Sequence, residues 1–310
     1  MAEIRVVRAA RRFGDPSAAS SLPVTPPAAP EPVSGPAAEA VTSSVAIPAV
    51  TAPAEATGSA AAGQQRLRRV EHTMGTVFSF DVRGGDPRRV CAAVDAAVEF
   101  LRHVDEVFST YRQGSQISRL AAGTLALSAC SPEVWEVHRL CDAARRTTDG
   151  WFDAEFAGGF DPTGLVKGWA VERAAAMLRS AGAEAVCVNG GGDVQVHGGP
   201  WRIGVTDPLR RGELATLVEA DGELAVATSG AAERGAHILD PRTHRPVEPV
   251  FASVTVVCRG LTDADVLATA AYARGASAPG WLRGLPATEA FAVRPDGTTW
   301  STPGFGAGHA

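Results

Sequence analysis

Five strand-like runs follow one another with no helix between them, at 185–189, 194–197, 201–206, 214–220 and 223–228, and this succession limits the fold more than any other feature. Regular β–α–β alternation would build a parallel sheet, whereas runs of strands set apart from runs of helices predict an α+β domain. Asp221-Gly222, between the last two runs, is a hairpin-type turn pair. Upstream, residues 76–83 read as a strand and Asp86-Pro87 as an N-cap with proline at the first helical position. Val90, Val94, Val98, Leu101, Val104 and Phe108 then recur every three or four residues, the spacing of an amphipathic helix. A second helix opens at Ser131-Pro132-Glu133, carries Val134, Val137, Leu140 and Ala144, and closes near Gly150. A third spans 165–181 and stops at Gly182. A strand over 250–258, a helix over 263–273 and a hairpin turning at Asp296-Gly297 complete the pattern, and no internal repeat is visible.

The folded part should begin near Leu67. Residues 15–63 are mostly Ala, Pro, Ser, Thr and Val, and no aromatic lies between Phe13 and Phe78. Such a stretch buries too little apolar surface to offset the entropy of ordering it, so 1–66 is expected to be a disordered segment and 67–310 the single compact domain. A net charge of −5 argues against a nucleic-acid or anionic-membrane partner. No apolar run reaches transmembrane length, and the basic residues 1–12 lack a following apolar core, so no stable membrane insertion and a cytoplasmic location are expected. The five cysteines have no CxxC spacing and sit in or beside apolar runs, which reads as buried free thiols without a disulfide framework or zinc site.

Four segments look unlike scaffold. Lys167 is the one lysine among 29 basic residues, and it lies in the glycine-rich stretch Gly158–Trp169 that opens the third helix. A helix N-terminus favours phosphate, although the spacing here is not that of a P-loop, and a tight turn with a surface lysine would look the same. Asn189-Gly190-Gly191-Gly192-Asp193 ends an apolar strand, where glycines allow either a close ligand or a simple turn. Thr228-Ser229-Gly230 is followed by His237-Ile238-Leu239-Asp240-Pro241-Arg242-Thr243, whose histidine can serve as a base near neutral pH. Asp265 and Thr269 are four apart on a helix, one face of hard oxygen donors suited to Mg²⁺, while Thr262 and the nearby acids would equally suit a capped first turn.

Taken in order with His72-Thr73-Met74-Gly75-Thr76, Phe108-Ser109-Thr110-Tyr111 and Ser115–Leu120, these segments closely resemble the bacterial FAD:protein FMN transferase family of the ApbE type, from about Arg69 to Thr302. The resemblance implies a two-lobed α+β domain that takes FAD between its lobes. It places Met74, Tyr111 and Lys167 along the flavin and pyrophosphate, and Glu172 near the adenosine end. Ser115, Asp161, Gly191, Gly192, Asp193, Ser229 and Gly230 would also bind FAD. The Gly164 carbonyl would join Asp265 and Thr269 on Mg²⁺, and His237, with Lys167, would be catalytic. The implied reaction moves FMN from FAD to a Ser or Thr hydroxyl of an acceptor protein and releases AMP. An FAD pyrophosphatase or a non-catalytic FAD carrier would use the same cavity. His244 stands where family members usually have Gly, the region before Lys167 is compressed, and the lipoprotein signal of many members is not seen.

Overall fold

Alternation along the strands sends two apolar sets to opposite faces of one sheet, and each face is covered by a different layer. The computed structural model describes residues 5–7, 50–51, 65–155, 159–231 and 238–306. Its strands are β1 (Arg5–Val7), β2 (Val50–Thr51), β3 (Arg66–Thr73), β4 (Thr76–Arg83), β5 (Ala185–Gly190), β6 (Asp193–His197), β7 (Trp201–Thr206), β8 (Leu214–Ala220), β9 (Leu224–Gly230), β10 (Leu239–Asp240), β11 (Arg245–Pro246), β12 (Ser253–Cys258), β13 (Glu289–Val293) and β14 (Thr299–Ser301). Its helices are α1 (Pro87–Phe108), α2 (Gln116–Ala121), α3 (Pro132–Thr147), α4 (Thr163–Ser180), α5 (Leu261–Arg274) and α6 (Ala278–Arg283).

The large sheet has eight strands in the order β14-β13-β12-β9-β6-β5-β4-β3, antiparallel at every pairing. Phe78, Phe80, Val186, Val188, Ala225, Ala227, Val254 and Val256 face the helices and form the main core with α1, α4 and α5. Their strand neighbours Cys187, Val194, Val196, Val226 and Val257 face the other way, against Trp201, Ile203, Val205 and Val218 of the β7–β8 pair. The α+β expectation is met as three layers: helices, large sheet, small sheet. Ten of the fourteen residues of α5 are buried, so this helix is apolar nearly all round, as a central helix must be.

Local signals located most elements. Asp86 Oδ1 accepts the Arg89 N–H at 2.9 Å, the cap read from Asp86-Pro87. The Asp221-Gly222 turn is the exception. Gly222 has the positive φ expected of it, but β8 pairs with β7 while β9 pairs with β6 and β12. The chain therefore changes sheets at this turn and makes no hairpin. Strand runs of the same period say nothing about which sheet will receive them. Strand β3, the short α2 and the small β10–β11 pair also escaped the periodicity reading. Helix α5 begins at Leu261, before the expected 263, because Glu172 on α4 accepts the Thr262 N–H at 2.8 Å and its hydroxyl at 2.7 Å, capping the helix from outside. Cys141, Cys187 and Cys258 are buried free thiols as expected, whereas Cys91 is exposed on α1. Within the 1–66 segment, the β-branched pieces β1 and β2 pair with β8 and β7 at the edges of the small sheet. The other residues up to 64 lie outside those described.

Gly168 sets the spacing of α4 and α5. A Cβ there would stand 2.7 Å from the Leu261 carbonyl oxygen and 2.9 Å from Asp265 Cβ. Gly168→Ala is expected to lower unfolding free energy by ~1–3 kcal/mol, the usual cost of overpacking. Gly114→Ala, with nothing within 4 Å of its would-be Cβ, should stay near wild type in the same urea titration.

Candidate active site

The first turn of α4, the glycine turn between β5 and β6, one face of α5 and the end of β9 converge on a cavity of about 450 Å³, a usual size for a small-molecule site. Ile203, Gly204 and Val205 of the small sheet form one wall, and Trp151 to Ala154 with Asp161 form another. The glycine turn exists because Gly191 and Gly192 take φ of +58° and +98°, with the Gly192 N–H held by Asn189 Oδ1 at 2.9 Å. A Cβ on Gly191 would strike Thr76 Oγ1 at 2.6 Å, so the backbone stays bare beside the cavity. At the start of α4, Asp161 Oδ1 accepts the Thr163 N–H at 3.0 Å. The dipole of the eighteen-residue helix favours an anion at this end.

Lys167 lies at the centre. Its ammonium contacts Asp193 Oδ2 and lies 3.3 Å from Asp265 Oδ2. Asp193 Oδ1 accepts the Thr228 N–H at 3.0 Å, which fixes that carboxylate against β9. Asp265 Oδ2 also accepts the Gly168 N–H at 3.2 Å, so α5 is tied to α4 through the side chain that faces the cavity. Both carboxylates are buried. One turn beyond Asp265, the Thr269 hydroxyl lies 3.1 Å from that of Ser229. Among the described residues no cluster of three or more His, Cys, Asp or Glu could hold a metal. Two carboxylates against one ammonium leave surplus negative charge beside hydroxyl oxygens. That donor set fits Mg²⁺, which takes one or two carboxylates and completes its shell with phosphate and water.

Of the residues singled out from sequence, Asp161, Gly164, Lys167, Gly191, Gly192, Asp193, Ser229, Gly230, Asp265 and Thr269 all line this cavity. Four do not. Met74 sits in the β3–β4 turn at φ +52° and packs on the helical core. Tyr111 is 96% exposed, and Ser115 is the buried N-cap of α2, accepting the Ser118 N–H at 3.0 Å. Glu172 is taken up by capping α5. His237 lies outside the described residues, although its neighbour Ile238 lines the cavity. His244 has φ +57°, so the turn keeps the conformation that favours the glycine expected there.

Sequence reasoning missed the small-sheet wall and Trp151. The β7 run reads as ordinary core, which it also is. Trp151 follows the helix-ending Gly150, and the Arg242 guanidinium lies 4.2 Å from its ring, a cation–π pair that no spacing reveals. Burial pushes the Cys141 and Cys258 thiols up to about 12, so neither is a nucleophile near neutral pH. Burial first, and then the charge of Glu172, also raises the carboxyl pKa of Asp263.

A helix N-terminus, a bare glycine turn and an ammonium beside a carboxylate–hydroxyl pair are the groups that receive a phosphate-bearing ligand, here set between the layers of an α+β fold. The chain belongs to the ApbE family, whose model matches residues 74–159 and 155–292. A FAD:protein FMN transferase of Vibrio cholerae is 34% identical over 143 residues, 42% of this chain and 41% of that protein. Another, from Rhodobacter capsulatus, is 35% identical over 152 residues, 44% and 28% of the two chains. These matches span less than half of either curated relative. The solved structure of the apbe protein of Thermotoga maritima shares the fold, with a TM-score of 0.68 at 22% identity over 78% of this chain and 98% of that one.

The ion cluster sets a stability expectation. Lys167→Met leaves two buried carboxylates facing each other and should cost on the order of 2–3 kcal/mol, somewhat below a fully buried pair because the lysine is partly exposed. Adding Asp193→Asn should recover part of that loss. Equal urea midpoints for the single and double variants would show that the two side chains are not coupled.

Proposed function

We propose that this chain transfers FMN from FAD to a Ser or Thr hydroxyl of an acceptor protein, releasing AMP and using Mg²⁺. The observation that supports this most is the meeting of Lys167, Asp193 and Asp265 at the N-terminal end of α4, inside a cavity that also carries the Thr269 and Ser229 hydroxyls. A carrier that only stores FAD needs no such charged cluster. The activity named for the Vibrio cholerae and Rhodobacter capsulatus relatives points the same way.

In this reading residues 67–310 hold FAD, with its pyrophosphate at the first turn of α4 and the glycine turn Gly191-Gly192. The N–H groups and dipole of α4 orient the phosphates, and Lys167 offsets the negative charge that develops on the oxygens during transfer. Asp265, Thr269 and the Gly164 carbonyl would hold Mg²⁺, which supplies further charge neutralisation. The acceptor hydroxyl attacks the FMN phosphorus. A new P–O bond forms, the bond to the bridging oxygen breaks, AMP leaves with that oxygen, and the hydroxyl proton passes to His237. Glu172 serves indirectly by fixing the start of α5 at Thr262, about one turn before Asp265. Ser115 steadies the loop after α1 through the Ser109 carbonyl. The unpaired cysteines suit a reducing compartment, and we assign the chain to the cytoplasm on that ground.

Incubation with FAD, Mg²⁺ and a candidate acceptor, followed by mass spectrometry of every product, tests the proposal. Acceptor gaining the mass of FMN, with AMP released, is expected. FMN and AMP with an unmodified acceptor would point to hydrolysis, and intact FAD to a carrier. Asp265→Ala should abolish turnover and its Mg²⁺ dependence in a folded protein. His237→Ala should slow single-turnover cleavage at saturating FAD by ~10²–10⁴-fold, the usual general-base contribution.

A further inference from the structure

Charge in the cavity does not balance. The charged side chains lining it among the described residues are Asp153, Asp161, Asp193, Asp265 and Lys167. Asp153 is paired outside the cavity with Arg145 at 3.1 Å, and Asp161 lies at the exposed start of α4, where it holds the Thr163 N–H. The inner cluster is then two buried carboxylates bridged by one ammonium, a formal charge of minus one. The ammonium shares Asp265 Oδ2 with the Gly168 N–H, so it stands on the same carboxylate that the proposed cation would use.

We propose that Lys167 holds the cation site weak while the cavity is empty, so that the divalent ion is held firmly only together with the dinucleotide's phosphates. The inference rests on the metal and FAD reading given above. A divalent ion added alone to this cluster gives a net charge of plus one and sets a dication beside an ammonium on a shared carboxylate. A diphosphate added alone gives minus three. Together they restore minus one, and the ammonium then faces phosphate oxygens as well as Asp193. Without the lysine the carboxylates alone carry minus two, and a divalent ion by itself neutralises them, so the empty cavity would hold the ion more tightly. The low dielectric of a buried cluster makes these differences large. Coupling of this kind is reciprocal, so FAD raises the affinity for the ion by the same factor as the ion raises the affinity for FAD.

The test is a titration of the full chain with Mn²⁺, read by the loss of the free-ion electron paramagnetic resonance signal, with and without FAD. Wild type is expected to bind Mn²⁺ about tenfold or more tightly with FAD present, within the usual range of coupling between sites. Lys167→Met should bind Mn²⁺ about tenfold more tightly than wild type without FAD, because the ammonium no longer competes for Asp265, and FAD should tighten it further. Asp265→Ala should bind no Mn²⁺ in the cavity under either condition. Wild-type affinities that are equal with and without FAD overturn the proposal, and this comparison needs no variant to fold. Lys167→Met binding that is no tighter than wild type without FAD also overturns it. Bound FAD that is never cleaved or transferred would sink the transferase reading while leaving the measured coupling in place.

Discussion

The contact between α4 and α5 at Gly168 is the constraint on which the rest of the molecule depends. Two largely buried helices can approach this closely only where one of them has no side chain. The close approach brings the Gly168 N–H within 3.2 Å of Asp265 Oδ2 on the other helix. This bond and the Lys167 bridge next to it set where Asp265 of α5 meets the N-terminal end of α4. The cavity opens at that junction. Packing and chemistry are therefore governed by the same few residues, and a change that relaxes the helix pair also displaces the charges.

The large sheet supplies the second fixed reference. Its antiparallel ladder sets the end of β9 beside the glycine turn, because β6 and β9 are direct neighbours with Val194 opposite Val226. Asp193, at the start of β6, reaches the backbone of Thr228 for the same reason. Residues more than thirty positions apart thus meet in a register imposed by apolar alternation on both faces of the sheet, since a slip of one residue would exchange the two cores.

Much of this was legible in the residues. Period-two and period-three-to-four patterns located the long helices and most strands, and helical spacing put Asp265 and Thr269 on one face while leaving a capped first turn equally open. Asn189 to Asp193 stood out because glycines beside an apolar strand imply unusual backbone. The rest was hidden for physical reasons. Asp221-Gly222 has the chemistry of a turn, and turn chemistry does not say which strands the turn joins. Glu172 was read as an acid near a ligand, yet an acid on a helix serves equally well as the cap of a neighbouring helix, and only the tertiary arrangement decides. The link from Lys167 to Asp193 spans twenty-six positions across a helix, a strand and a turn, and no local rule anticipates it.

Because β6 and β9 pair directly, the β7–β8 pair is an excursion that leaves the large sheet at the Gly198 turn and returns at Gly222, where the two turns are joined by a Gly222 N–H bond to the Gly198 carbonyl at 3.1 Å. The excursion is closed at its base like a drawer in a frame. Its hydrogen bonds interrupt none of the ladder beneath, while Ile203 to Val205 carry one wall of the cavity with them. The charged cluster thus rests on a floor tied into the large sheet, while one wall of the cavity belongs to a separate sheet with its own ladder.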